Sequence, residues 1–305
     1  MTIDLSLLPP PDVIETLDFE AVFAARKERF LANVVALAPA DLPAFVGRLE
    51  LESEPVTLLL QELAYAELLL RQRVNEAARQ CMLASASGGN LDNLAAFHGV
   101  ERLVTDPGDA AALPPIPPTF ETDDRLRHRA QLAVEGMSTA GPTESYRFHA
   151  LSAHGDVDDA SVISPTPGRV VVTILSNDGD GTPSEELLAA VNRHLNAEHI
   201  RPLTDEVIVQ GATLTDYRIA AELTVYPGPA PSPILAAAQA AVEKYVTDMR
   251  RLDYDITLAG LFAALKQPGV QNVVITSPEA DIAVAVTQCA NCIDIDIRLA
   301  EVPHV

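Results

Sequence analysis

The 305-residue sequence predicts an α+β protein with a helical arm, containing one long helix, at its N-terminus. A Pro-rich linker follows, and then C-terminal ferredoxin-like split βαβ repeats with added hairpins. Three observations carry this reading. Gly168 to Pro278 reads as one βα unit written twice, its apolar, β-branched runs bounded by turn residues. Val56, Leu63, Leu70, Ala77 and Ala84 recur every seven residues within the longest helical pattern of the chain. Between these two regions lies Pro114-Pro115-Ile116-Pro117-Pro118, a composition that favours extended backbone.

In chain order, residues 1–16 are broken by proline and read as an extended arm. A first helix is expected from Phe19 to Leu37, with Phe19, Val22, Phe23, Phe30, Val34 and Leu37 on one side and Pro39 and Pro43 beyond it. The long helical pattern runs from Ser53 to Ser87, with Pro55 near its start and Gly88-Gly89 at its end. Leu60, Val74 and Cys81 lie on the seam beside the heptad stripe, and Glu67 alone departs from the pattern. About thirty helical residues span about 45 Å, more than a small domain needs, so this helix wants partner helices. It has two candidate partners: the first helix of the same chain, as a hairpin, or helices of other chains. In the second case Val56, Leu60, Leu63, Leu70 and Val74 are the expected contact residues, with Arg71, Arg73 and Arg79 on a solvated face.

A short capped helix is expected from Asn90 to His98, and Asp106 to Thr119 as a semi-rigid spacer. Helices at Glu121–Glu135 and Thr143–Ala153 follow, divided by Gly141-Pro142. An acidic strand, Val157–Ile163, is expected to pair with Val170–Leu175 across a Pro- and Gly-bearing turn. Thr182-Pro183-Ser184-Glu185 has the form of a capping box, and Leu187, Leu188, Val191 and Leu195 then line one helix face. Val207–Val209 closes the first unit. The second repeats the order with Ile219–Tyr226, a helix opened by Ser232-Pro233, a shorter helix at Thr257–Leu265, and Val273–Ile275. That succession is the order of a split βαβ sheet, a fold that implies no function by itself. Alternation at Ile282, Val284 and Val286, and again at Ile293, Ile295 and Ile297, predicts a closing hairpin. The expected segments are therefore 1–105 (helical arm), 106–119 (linker), 120–155 (helical connector), 156–278 (duplicated βα domain) and 279–305 (hairpin).

Composition excludes several function classes. With 21 Lys and Arg against 43 Asp and Glu, the formal charge of −22 repels phosphate backbones and anionic membrane surfaces. No apolar run approaches the roughly 18 residues of a membrane span. The N-terminus lacks the basic start and apolar core of a signal peptide, and three cysteines make no disulfide framework. The expectation is a soluble chain made in a reducing cytoplasm.

The candidates for chemistry are weak. Cys289-Ala290-Asn291-Cys292 lacks the further ligands zinc requires and flanks an expected hairpin turn rather than opening a helix. Asn177-Asp178-Gly179-Asp180-Gly181 resembles part of a calcium loop, but Leu187 falls where the bidentate Glu belongs. His149 and His154, like His194 and His199, are five apart and share no helix face. Asp156, Asp158 and Asp159 read as a solvated strand edge. No cofactor, metal or catalytic residue is expected. Two rival classes stay in view: an enzyme such as a wall hydrolase, which needs paired carboxylates or a metal cluster in a cleft, and a small-molecule regulator, which needs a Gly-rich ligand loop between the repeats.

Several stretches together resemble a known family. Glu62 through Arg79, Leu91-Asp92-Asn93-Leu94-Ala95 and Gly99-Val100-Glu101-Arg102 are similar to the J-type baseplate assembly protein of contractile-tailed bacteriophages. The likeness continues through Ser138-Thr139-Ala140-Gly141-Pro142, Gly155 to Ala160, Arg201 to Val207, and Gly269 to Val273 before Pro278. The resemblance implies a structural wedge component of a virion tail baseplate, assembled in the host cytoplasm. Two such chains would associate with one I-type wedge chain through a shared helical bundle. Their α/β parts would meet neighbouring wedges in a ring, near other wedge and hub proteins. The Asp106–Thr119 linker is the expected hinge.

Overall fold

The computed structural model describes residues 5–9, 11–138, 140–227 and 231–300. The chain divides into two compact units, Met1–Phe97 and His98–Val305.

The first unit is helical. Helix α1 (Phe19–Leu37) is capped by Asp18, whose carboxylate accepts from the Glu20 amide at 3.0 Å, and it ends before Pro39. A short helix α2 (Leu42–Leu49) leads to α3 (Pro55–Gln80), with proline at its first position, and α4 (Gly88–Phe97) follows. Helices α1 and α3 form a hairpin around Phe23, Leu49, Leu60 and Ala64, the last fully buried. Glu67, the outlier of the heptad pattern, has a role inside this hairpin. It accepts from Arg26 on α1 and from Arg71 one turn along α3 at 2.8 Å. Arg71 also reaches Glu15 at 3.0 Å, so it is an ion-pair hub and not simply a solvated side chain. Buried Asn75 exchanges two hydrogen bonds with the Glu15 backbone, pinning that part of the expected extended arm.

The second unit opens with β1 (Val104–Asp106) and β2 (Thr119–Phe120), which pair antiparallel. This corrects the expected spacer. Asp106 and Thr119 are register partners, and Asp109 and Ile116 exchange both backbone hydrogen bonds, so the Pro-rich segment folds back on itself. Proline stiffens each step but does not set direction over the whole segment. Gly108, at φ +67°, lies against the Pro117 backbone where a Cβ has no room, and helps the chain reverse. A segment whose ends are hydrogen-bonded together is not an extended spacer.

Helices α5 (Asp123–Gly136) and α6 (Thr143–Ala153) precede a three-stranded sheet in the order β3-β4-β5. Strands β3 (Val157–Thr166) and β4 (Arg169–Ser176) pair antiparallel, as expected, with Val162 opposite Val172. Helix α7 (Glu185–Leu195) then crosses over to β5 (Glu206–Gly211), parallel to β4. The α7 cap is Ser184, which accepts from the Leu187 amide at 3.1 Å, two residues later than the sequence implied. Val172, Ile174, Val191 and Leu195 are fully buried in this half.

The other half has its own sheet, β7-β6-β8. Strand β6 (Thr213–Val225) is central, antiparallel to β7 (Val270–Ser277) and parallel to β8 (Gln288–Leu299). Helices α8 (Pro231–Met249) and α9 (Leu258–Leu265) supply Ala238, Val242, Leu261 and Leu265 to a core that includes Ile219 and Leu223. The α+β class therefore holds, but the strands do not form one split βαβ sheet. The reason is local: β5 ends at Gly211 and β6 begins at Thr213, and the tightest hairpin connections take two residues. The chain passes straight from one sheet into the next, with the Ala212 amide bonded to Ile174 and the Thr213 amide to Thr287. The closing hairpin is likewise replaced. Ile282 makes a single bridge to Ile256, whereas the alternating run at Ile293 fills the open edge of β6. Residues 301–305 of that expected segment lie outside the described residues.

Candidate protein-binding site

Helix α3 has apolar residues on more of its circumference than one neighbour can cover. Thr57, Leu60, Ala64 and Asn75 are buried within the chain. On the adjoining face Leu59, Leu63, Leu70 and Val74 stand 60%, 44%, 70% and 60% exposed. With Ala66 and Ala77 these residues recur at steps of three and four, the spacing of a seam that receives knobs from another helix.

Of the five residues expected to meet a partner, the structure leaves Leu63, Leu70 and Val74 on the surface. Leu60 is buried in the α1–α3 hairpin, and Val56 is partly buried against the same core. The hairpin and the outward stripe, considered as alternatives from the sequence, thus coexist on one helix. Leu59 was missed because the second row of the seam was taken four residues after each heptad position, at Leu60, Val74 and Cys81, although Leu59, three residues after Val56, holds the other seam position of the heptad.

A second feature lies in the His98–Val305 unit, where α5, α6, β3 and the end of α8 enclose a cleft of about 290 Å³. Its lining includes five arginines, Arg125, Arg129, Arg147, Arg250 and Arg251. Three act as internal braces. Arg125 donates to the carbonyls of Gly155 and Val157, Arg129 to buried Glu121, and Arg147 to Asp159 at 2.8 Å. Asp159 is buried and also accepts from the Leu252 and Ala160 amides, so it is no solvated strand edge. Asp158 lies beside it in the cleft, where burial raises its carboxyl above the ordinary value even with Arg250 at 4.0 Å. Burial and the nearby Arg147 lower the pKa of His128 in the same wall. Sequence reading missed this cluster because its members are scattered from Asp124 to Arg251.

The remaining chemical candidates resolve structurally. Cys289 and Cys292 lie within strand β8, not at a turn, and all three cysteines are free. Burial pushes the Cys289 thiol up to about 11, away from the reactive thiolate. The Asn177–Gly181 segment is a turn in which Asp180 accepts from the Thr182 amide. Among the described residues no three His, Cys, Asp or Glu side chains come together as a metal would need, and no helix is long and apolar enough to cross a membrane.

Comparison with known proteins then places the chain. Residues 52–109 match the Baseplate J-like N-terminal domain, 138–211 the Baseplate J-like central domain, and 217–298 the Baseplate J-like protein C-terminal domain. Baseplate protein J of Escherichia phage P2 is 47% identical over 291 residues, which is 95% of each chain. The chain belongs to the baseplate J family. It is accordingly a structural protein of a phage-type tail baseplate that associates with other baseplate proteins. The first family region begins just before α3, so the helix with the exposed stripe lies within what the family shares. A chain in the cryo-EM structure of the anti-feeding prophage baseplate aligns with 58% of this chain and 44% of that one, at a TM-score of 0.39 and 15% identity.

Proposed function

We propose that this baseplate J protein is a wedge scaffold in which the outward stripe of α3 enters a helical bundle with an I-type wedge chain and a second copy of this chain. The His98–Val305 unit then meets neighbouring wedges around the ring, and assembly takes place in the host cytoplasm before the baseplate joins the tail. The observation that carries the reading is the row Leu59, Leu63, Leu70 and Val74, left uncovered beside a hairpin already filled by Leu60 and Ala64. Completing the burial of those four side chains would contribute about 3–7 kcal/mol before the costs of association, enough to hold a helix in an obligate assembly. Two of the three carboxylates lining the arginine cleft are already engaged, Asp159 by Arg147 and two amides and Asp124 by Arg127, which supports a scaffold over a wall hydrolase that needs a free carboxylate pair.

The test is co-expression with the I-type partner, followed by size exclusion and mass determination. A complex containing more of this chain than of the partner is expected. Leu63→Asp with Leu70→Asp should abolish it while leaving the fold intact, because both positions are solvent-facing. A complex unaffected by the two aspartates would show that association uses another face.

A further inference from the structure

We infer that the arginine-lined cleft is a docking site for an acidic side chain presented by another protein chain. Its charge is the reverse of that of the chain as a whole. The chain carries twice as many acidic as basic residues, yet this one cleft gathers five arginines against Asp124, Asp158 and Asp159. Asp124 pairs with Arg127, and Arg129 is neutralised by Glu121 from beneath. Asp159 answers Arg147, and Asp158 stands 4.0 Å from Arg250. Among the described residues Arg125 and Arg251 make no ion pair within 4 Å, and Asp158 is the carboxylate whose charge they share with Arg250. Arg125 is held by backbone carbonyls, and Arg251 lies 5.8 Å over the Tyr254 ring. Arg147 also keeps a buried Nε without a hydrogen-bond partner. Bracing explains Arg125, Arg129 and Arg147. It does not explain Arg250 and Arg251 on the α8 side, where, among the described residues, Arg250 makes a 4.0 Å ion pair to Asp158 and a 3.4 Å hydrogen bond to the Gly179 carbonyl.

Size and chemistry identify the occupant. At about 290 Å³ the cleft has room for an inserted carboxylate side chain and sits at the lower limit of small-molecule sites. Guanidinium forks match the planar, two-oxygen geometry of a carboxylate. A nucleic acid is disfavoured by the chain's net charge of −22, whereas a single Glu or Asp on a protein surface delivers one compact charge. Arginine is also among the residues that carry most of the binding energy in protein interfaces. The inference stands apart from the α3 bundle, since it concerns the other unit of the chain.

The full-length protein would be titrated by calorimetry at low salt with a short all-glutamate peptide and, separately, with inorganic phosphate. Saturable one-site peptide binding is expected, about tenfold weaker for Arg250→Ala and about a hundredfold weaker when Arg251→Ala is added. Lys244→Ala with Arg193→Ala removes the same charge from exposed positions elsewhere and should leave the affinity unchanged. Leu63→Asp with Leu70→Asp should also leave it unchanged, which separates this site from the helical bundle. Circular dichroism establishes that each variant is folded. The inference is overturned by absent or non-saturable peptide binding, by equal losses in the two paired arginine and lysine variants, or by phosphate binding as tightly as the peptide.

Discussion

The ion pair beneath the cleft offers a quantitative test of how this unit is held together. The Glu121 side chain is 0% exposed and that of Arg129 6%. One Glu121 oxygen accepts from Arg129 and from the Leu103 amide at 3.0 Å, while Arg129 also donates to the Glu101 carbonyl at 3.1 Å and to Ser152 at 3.2 Å. Burial lowers the Arg129 pKa despite the facing carboxylate, so the desolvated guanidinium, which stays charged, relies on Glu121 to offset the cost of its burial. Glu121→Ala leaves a buried cation unpaired and should cost about 3–5 kcal/mol, from a total that is typically about 5–15 kcal/mol. Arg129→Leu should cost a similar amount by stranding the carboxylate. The double variant should cost well below the sum, with a coupling of about 2–3 kcal/mol. Near-UV circular dichroism in urea reports on the relevant unit, because every tyrosine but Tyr65 lies after His98. With a slope of about 2–3 kcal/mol per M, each single variant should lower the midpoint by about 1–2 M. Single costs below about 1 kcal/mol, or a double variant equal to the sum, would refute the role given to the pair.

Three further outcomes follow from the same structure. Leu60→Asp should unfold the α1–α3 hairpin by placing a charge at a 7% exposed position, whereas Leu70→Asp at 70% exposure should move stability by less than about 0.5 kcal/mol; equal thermal shifts would contradict the assigned faces. His149 and His194 sit with ring centroids 5.9 Å apart, and burial lowers both pKa values. The unfolded chain therefore takes up protons below about pH 6.5 that the folded chain refuses, so stability should be full above that value and fall as the pH drops below it. A urea midpoint unchanged between neutral pH and mildly acidic buffer would contradict this. Gly155→Ala places a Cβ against the Val104 carbonyl on β1 and should destabilise by about 1–3 kcal/mol, read as a lower melting temperature.

Local signals settled much of this fold. Helix α1 begins and ends where Asp18 and Pro39 place it, α6 matches its expected bounds, and the β3–β4 pairing was legible because a short Pro- and Gly-bearing turn joins the two strands directly. The family was also legible, since its motifs extend along most of the chain. The tertiary structure decided what periodicity leaves open. A period of two marks Ile293, Ile295 and Ile297 as strand, but only the open edge of β6 made them its parallel neighbours. A heptad marks α3 as a packing helix, but the arrival of α1 turned Leu60 inward and left Leu59 with Leu63, Leu70 and Val74 outside. Closure of the Pro-rich segment and assembly of the arginine cleft depend on residues far apart in sequence. Backbone preference and side-chain polarity are properties of neighbouring residues, so the sequence alone determined the elements and their amphipathic character. Which face meets which depends on contacts between distant segments, and those exist only once the chain has folded.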